Sequence, residues 1–275
     1  MSEADRTAML LDLASPAVTG RRPARAQNFS VEQVVGLPAQ PVGFASELEM
    51  ILLLPDGGGT IESANGTTII TERAVVIVPP GAHRFRFAGH HRLFVCATGR
   101  TDIGWDACQN AEGYQTADPR VEPIAEPFRR IVGVGQIHVL PIAAIPHPPT
   151  NPRLKFVQSA TMSINWVEYN APRDRTALSP HKHEDLEQGS LAIEGHFVHH
   201  LRTPWGTNAD LWREDMHMEA GPSSLLIIPP EVIHTTEGVG DSHHVLVDIF
   251  APPRRDFIAK DWIFNASDYR DPQAA

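Results

Sequence analysis

The chain has 275 residues, 42% of them hydrophobic and 20% charged, with a formal net charge of -10. That length can bury one large or two ordinary cores, and the composition is globular rather than disordered. The acidic balance argues against a nucleic-acid partner, and no apolar run approaches the roughly 18–20 residues that span a bilayer. Two cysteines, Cys96 and Cys108, give no disulfide framework and fit a reducing compartment. Glu3 and Asp5 come early and the apolar stretch 8–11 is short, so no secretory signal is expected and the cytoplasm is the expected location.

Residues 1–27 read as a flexible lead-in, polar above all over 21–27. Short apolar runs rich in β-branched residues then recur at 50–54, 67–71, 74–78, 92–97, 130–139, 191–199, 224–228 and 244–250. Turn signals separate them, among them Asp56-Gly57-Gly58-Gly59, Asn65-Gly66 and Glu194-Gly195. Many short strands punctuated this way predict an all-β sandwich or barrel. The run at 74–78 ends in Pro79-Pro80 and is followed by His83; the run at 224–228 ends in Pro229-Pro230 and is followed by His234. This repeat predicts two copies of one β fold, a first domain over 28–118 and a second over 119–275. The polar stretch 113–127 is the expected linker, and a short helix is expected around 255–262.

The chemistry concentrates in Ser179-Pro180-His181-Lys182-His183-Glu184-Asp185-Leu186-Glu187-Gln188. Residues i and i+2 of a strand point to one face, so a strand here would aim His181 and His183 at one point. With His234 they form a three-imidazole set suited to a first-row transition metal. A side-chain oxygen from Gln188 or Glu187 completes the set. Adjacent strand residues face opposite ways, so one of the two reaches the metal unless a bulge intervenes. A two-residue hairpin loop at Glu194-Gly195 would pair Ile193 with His196 and Ser190 with His199. That parity places His199 beside the metal as a substrate-binding residue; a slip of one gives the place to His200 and Arg202. His217, His243 and His244 carry no spacing signal, and Trp205 and Trp212 read as core or rim aromatics.

These motifs resemble those of the cupins: an HxH pair, a glutamate four or five residues on, a glycine seven further, and a second motif near PxGxxH. His181 and His183 match the pair, Gln188 stands in the glutamate slot, Gly195 follows it by seven, and Pro229 and His234 match the ends of the second motif. The spacing to Gly195 favours Gln188 over Glu187. The first half keeps Pro79-Pro80-Gly81 and His83, but where the HxH pair belongs it has only Glu47 and Glu49. The resemblance therefore implies a bicupin: two tandem jelly-roll (double-stranded β-helix) barrels, the N-terminal one degenerate. It implies one divalent ion in the C-terminal barrel (iron, manganese, zinc or nickel) on His181, His183, Gln188 and His234. The implied function is metal-dependent chemistry on a small organic molecule, dioxygenase-like ahead of a Lewis-acid lyase, isomerase, cyclase or decarboxylase. The alternative is a non-catalytic binding cupin. A homodimer is the implied assembly.

Overall fold

The computed structural model describes residues 7–14, 21–36, 38 and 40–273. In chain order the first strands are β1 (Met9–Asp12), β2 (Ala24–Arg25), β3 (Ser30–Gly36), β4 (Val42–Ser46), β5 (Met50–Leu54), β6 (Gly59–Ser63), β7 (Gly66–Ile70), β8 (Ala74–Val78), β9 (Gly81–Phe87) and β10 (His91–Ala97). After a stretch of loop and short 3-10 turns come β11 (Arg129–Arg130), β12 (His138–Pro141), β13 (Leu154–Gln158), β14 (Ser163–Asn170), β15 (Gln188–Glu194) and β16 (His196–Arg202). The last are β17 (Met216–Ala220), β18 (Ser224–Ile228), β19 (Ile233–Val239), β20 (His243–Phe250) and β21 (Tyr269–Arg270), with one short helix, α1 (Arg255–Ala259), near the expected place.

Two double-sheet barrels result, and their strand orders correspond. One large sheet runs β12-β8-β5-β10-β3-β2 and the other β1-β18-β15-β20-β14-β13. The small sheets run β4-β9-β6-β7 and β17-β16-β19. The run ending in Pro79-Pro80 is β8 and its counterpart is β18, so the sequence repeat marks equivalent strands.

The two large sheets pack face to face, and period-two alternation divides their side chains between two cores. On β5, Ile51 and Leu53 enter the core between the barrels, while Met50, Leu52 and Leu54 fill the N-terminal barrel. On β20, Val245, Val247 and Ile249 enter the shared core, leaving Leu246, Asp248 and Phe250 for the C-terminal barrel. Each fully buried Val, Leu or Ile contributes roughly 1.5–3 kcal/mol, so the shared core ties the two barrels firmly.

Each barrel also borrows a strand. Met9–Asp12 pairs antiparallel with β18, and His138–Pro141 pairs with β8. The expected flexible lead-in is therefore ordered strand at Met9–Asp12; Leu10 packs into the C-terminal barrel and Leu11 against the shared core. Residues 1–6 and 15–20 of that segment lie outside the described residues. The expected boundary at 118/119 likewise leaves β12 on the far side of the barrel it joins. Both cysteines are free and buried, and among the described residues no helix is long and apolar enough to cross a membrane.

The expected hairpin at Glu194-Gly195 is not formed. β15 pairs with β18 and β20, whereas β16 pairs with β17 and β19, so the turn carries the chain from one sheet to the other. The register shifts between Ala192 and Glu194, and Gly195 has φ +87°. A Cβ there would sit 2.6 Å from the His243 carbonyl oxygen, which leaves glycine as the fitting residue.

Candidate metal centre

His181, His183 and His234 converge in the C-terminal barrel, His234 buried, His183 half-buried and His181 exposed, each offering a nitrogen within 4.8 Å of the others. It is the one such group of histidine, cysteine or acidic residues among the described residues. The backbone brings them together without the expected strand over 181–183. His181 makes a single antiparallel bridge to His234, with its N–H on the His234 carbonyl at 3.0 Å and the return bond at 2.8 Å. Glu231 N–H then donates to the His183 carbonyl at 2.6 Å, so the 179–187 loop is docked onto the start of β19.

The ring nitrogens are oriented by their partners. His181 Nδ1 lies 3.0 Å from the Ser179 carbonyl and His234 Nδ1 2.9 Å from the Val232 carbonyl. Each ring donates there, which leaves the Nε2 lone pair for the site. Gln188 Oε1 stands 2.8 Å from His183 Nε2 and 3.2 Å from His234 Nε2. The amide nitrogen of Gln188 donates to Ser190 Oγ and Asp248 Oδ1, each at 3.0 Å. A carboxylate accepts only, so Asp248 turns the amide oxygen towards the imidazoles. Glu187 faces the other way and accepts from the Gln27 N–H and, at 3.1 Å, from Tyr114 Oη.

Burial pulls the His183 imidazole down to about 3, helped by the Arg254 guanidinium, and His234 to about 4, helped by His181. Both rings are neutral at physiological pH, as metal ligation requires. Arg254 Nη1 is 2.9 Å from His183 Nδ1. Arginine only donates, so that contact holds the His183 proton on Nε2, directed at Gln188 Oε1. A cation taking His183 Nε2 competes with this arrangement. Burial pushes the Asp248 carboxyl up, while Ser190, Asn165 and Gln188 donate to it.

The donors fit a divalent transition ion: three neutral imidazoles and a fixed amide oxygen around one point. They line a cavity of about 390 Å³. His199, expected beside the metal, is buried within the barrel. Its Nδ1 is 2.9 Å from Thr236 Oγ1, and Thr236, rather than His199, lines the cavity. His200 instead contacts His217 Nδ1 at 2.8 Å and Glu237 at 3.0 Å. Trp205 and Trp212 stack on each other in the open, 4.6 Å apart. Sequence reasoning missed Asp248 and Arg254. The signal for Asp248 was a lone acid in the apolar run 245–250; Arg254 follows that run after two prolines and gave none. In the N-terminal barrel His83 Nε2 is held by the Pro79 carbonyl at 2.9 Å.

No family model matches the sequence, and no curated protein matches it. Solved structures do. An IolB-like protein from Salmonella typhimurium superposes with a TM-score of 0.56 at 15% identity, covering 90% of this chain and 93% of that one. An oxalate decarboxylase from Bacillus subtilis, described with Mn(II) centres, gives 0.51 at 10% identity over 91% and 80%. Vicilin from hazelnut (Corylus avellana) gives 0.52 at 8% identity over 82% and 75%. These are cupin-fold proteins, and the likeness gives this chain the cupin fold.

Two outcomes are expected. Gln188→Ala should weaken metal binding about tenfold or more. Glu187→Gln should leave it unchanged and cost about 1–3 kcal/mol of stability through its two donors. Parallel metal titrations and denaturation curves check this, and metal loss in Glu187→Gln alone returns the fourth position to the glutamate.

The second outcome concerns pH. Burial also holds His199 at about 3. The folded values of His183, His199 and His234 lie below the ~6.5 of a free imidazole. Between those values the unfolded chain binds more protons, so metal-free protein should lose stability as pH falls below ~6.5. The raised Asp248 carboxyl works with the opposite sign, so the comparison must be with a variant. His199→Gln should flatten the slope by about 1.4 kcal/mol per pH unit between roughly pH 6 and 5. Denaturant unfolding at each pH reads it; parallel curves would contradict it.

Proposed function

We propose that the C-terminal barrel is a metal-dependent enzyme site for a small organic acid, acting by Lewis-acid activation as a lyase, isomerase, cyclase or decarboxylase. One observation carries this reading. The chain has a net charge of -10, yet its histidine-lined cavity presents Arg153, Arg173, Lys182, Arg254 and Lys260 against only Asp248 and Asp256. Such a local reversal of sign concentrates and orients an anion.

A bound divalent ion would supply Lewis acidity and an attachment point for a substrate oxygen. The chain's own residues do the rest. His181, His183, His234 and Gln188 would hold the ion and add no charge, so its full divalent charge would face the cavity. Arg254 is gripped by Asp256 through Nε at 2.7 Å and Nη2 at 2.9 Å, and Phe250 and Phe257 lie against its guanidinium, 5.1 and 4.4 Å away. That clamp fixes a positive group beside His183, and the two rings exclude water around it.

The dioxygenase is the second reading: three imidazoles with open positions would also suit dioxygen beside a chelating acid. In this reading the N-terminal barrel is a structural partner, because its interior is filled by Phe44, Leu52, Phe85, Val95 and their neighbours. The non-catalytic alternative is a binding cupin, vicilin's fold being equally near.

The test is incubation of metal-loaded protein with a panel of small mono- and dicarboxylates, with and without dioxygen, followed by NMR. Consumption under nitrogen that disappears in His183→Ala is expected. Consumption only with dioxygen overturns the Lewis-acid assignment in favour of the oxygenase, and tight binding without consumption overturns turnover altogether.

The assembly proposed is a homodimer. Outer strands such as β7, where Ile69 is 72% exposed, give edges suited to pairing. Sedimentation at micromolar concentration should give twice the chain mass; a monomer contradicts it.

A further inference from the structure

The cavity extends well beyond the histidines. Asn165, Val167 and Tyr169 of β14 all line it, being alternate residues on one face. Asn165 lies at the metal end, its side-chain nitrogen 3.2 Å from Asp248 Oδ2. Tyr169 is four residues further, about 13 Å along a strand. Between them the wall is apolar, with Leu154, Val167 and Leu246. At the far end stand Arg153, just before β13, and Arg173, just after β14, whose N–H is fixed to the Gly238 carbonyl at 3.0 Å.

Those two arginines are unlike the other arginines named here. Arg254 holds a carboxylate in its fork, as do Arg21, Arg92 and Arg100. Among the described residues neither Arg153 nor Arg173 makes an ion pair. The Arg173 side chain donates one hydrogen bond, to the Ala177 carbonyl at 3.3 Å, and the Arg153 guanidinium lies over the Tyr169 ring at 5.7 Å. Both are half-buried. Burial and the neighbouring Arg173 pull the Arg153 guanidinium below its usual value. Two like charges are thus kept together, partly desolvated, at the end of a cavity with no carboxylate between them.

We propose that Arg153 and Arg173 form a second oxyanion site at the end of the cavity remote from the histidines. The ligand would be an elongated acid: one carboxylate at the metal end, an apolar span along Leu154, Val167 and Leu246, and a second carboxylate or phosphate on the arginine pair. This rests on the organic-acid reading above and specifies its substrate class. The planar guanidinium forks suit a bidentate oxyanion, and neutralising two repelling cations adds to the gain.

Calorimetric titration of the metal-loaded protein with suberate, octanoate and the phosphonate analogue of suberate tests it. Suberate should bind about tenfold or more tighter than octanoate. Arg153→Gln and Arg173→Gln should each remove most of that preference, weaken octanoate far less than suberate and keep the wild-type unfolding midpoint. The lysine variants should retain part of it, as charge rather than packing predicts. A further gain with the phosphonate identifies a phosphate-type second group. Equal binding of suberate and octanoate, or a preference that survives both glutamine substitutions, overturns the subsite. His183→Ala separates the two readings. It should weaken suberate and octanoate alike; unchanged binding there, with the arginine effect intact, keeps the subsite and removes the metal-bound carboxylate.

Discussion

The buried Asp248 carboxylate is the constraint on which the candidate metal centre depends. It lies on the central strand β20, directly across from Asn165 on β14 and Ser190 on β15. The three side chains therefore meet inside the barrel by register alone. An acid buried there is costly unless donors surround it, and Asn165, Ser190 and Gln188 supply them. The last of these donors matters beyond satisfaction, because it fixes which end of the Gln188 amide faces the histidines. A glutamate at 188 would put a second carboxylate against Asp248. The neutral amide and the buried acid therefore belong together, which gives a physical reason for a glutamine in a slot where cupins usually have glutamate.

The same architecture serves opposite ends in the two barrels. The strand orders match, and in both the interior face is the one that alternates away from the shared core. In the N-terminal barrel that face carries Met50, Leu52, Leu54, Val76, Phe85 and Val95, which close-pack. In the C-terminal barrel the corresponding strands carry Gln188, Ser190, Asp248 and His234, which contact one another, and Thr236, which contacts His199, and they leave a cavity. The difference lies in residue type at interior positions and in the small sheets, where β4 has no strand counterpart among the described residues and a loop carrying His181 and His183 leads into β15.

Parity explains what was legible in the sequence and what was not. The HxH spacing and the histidine after Pro229-Pro230 marked the three rings that the structure brings together, but His181 and His183 reach the focus from a loop rather than from the strand that parity assumed. The opposed facing of Glu187 and Gln188 follows from the same rule. His199 shows its limit. Its interior facing came out, but by way of a hairpin that does not exist, because Gly195 passes the chain between sheets instead of folding it back. Its partner is Thr236, two residues beyond His234 on a strand that no local signal assigned to it. The borrowed strands were illegible for a similar reason. Met9–Asp12 and His138–Pro141 pair with segments far away in sequence, and a short run that adds an edge carries no mark of whose edge it adds. Arg254 was invisible because its effect is on a tautomer, which only the contact with His183 defines.

Stability and site geometry are finally one problem in this fold, because they share strands. β15 turns Leu191 and Ile193 into the core between the barrels and Gln188 and Ser190 towards the histidines. Gly189, on the same face as Leu191 and Ile193, lies so close to Phe29 of the other barrel that a Cβ would reach its ring at 3.0 Å. The strand can therefore neither slide nor rotate without disturbing the larger core. A one-residue slip would exchange Gln188 for Gly189 beside the histidines and bury the amide in hydrocarbon, an unsatisfied polar group where an apolar one now sits. The apolar barrel thus acts on the histidine cluster at a distance: by packing against the back of β15 and β20, it fixes the register from which the candidate ligand set is built.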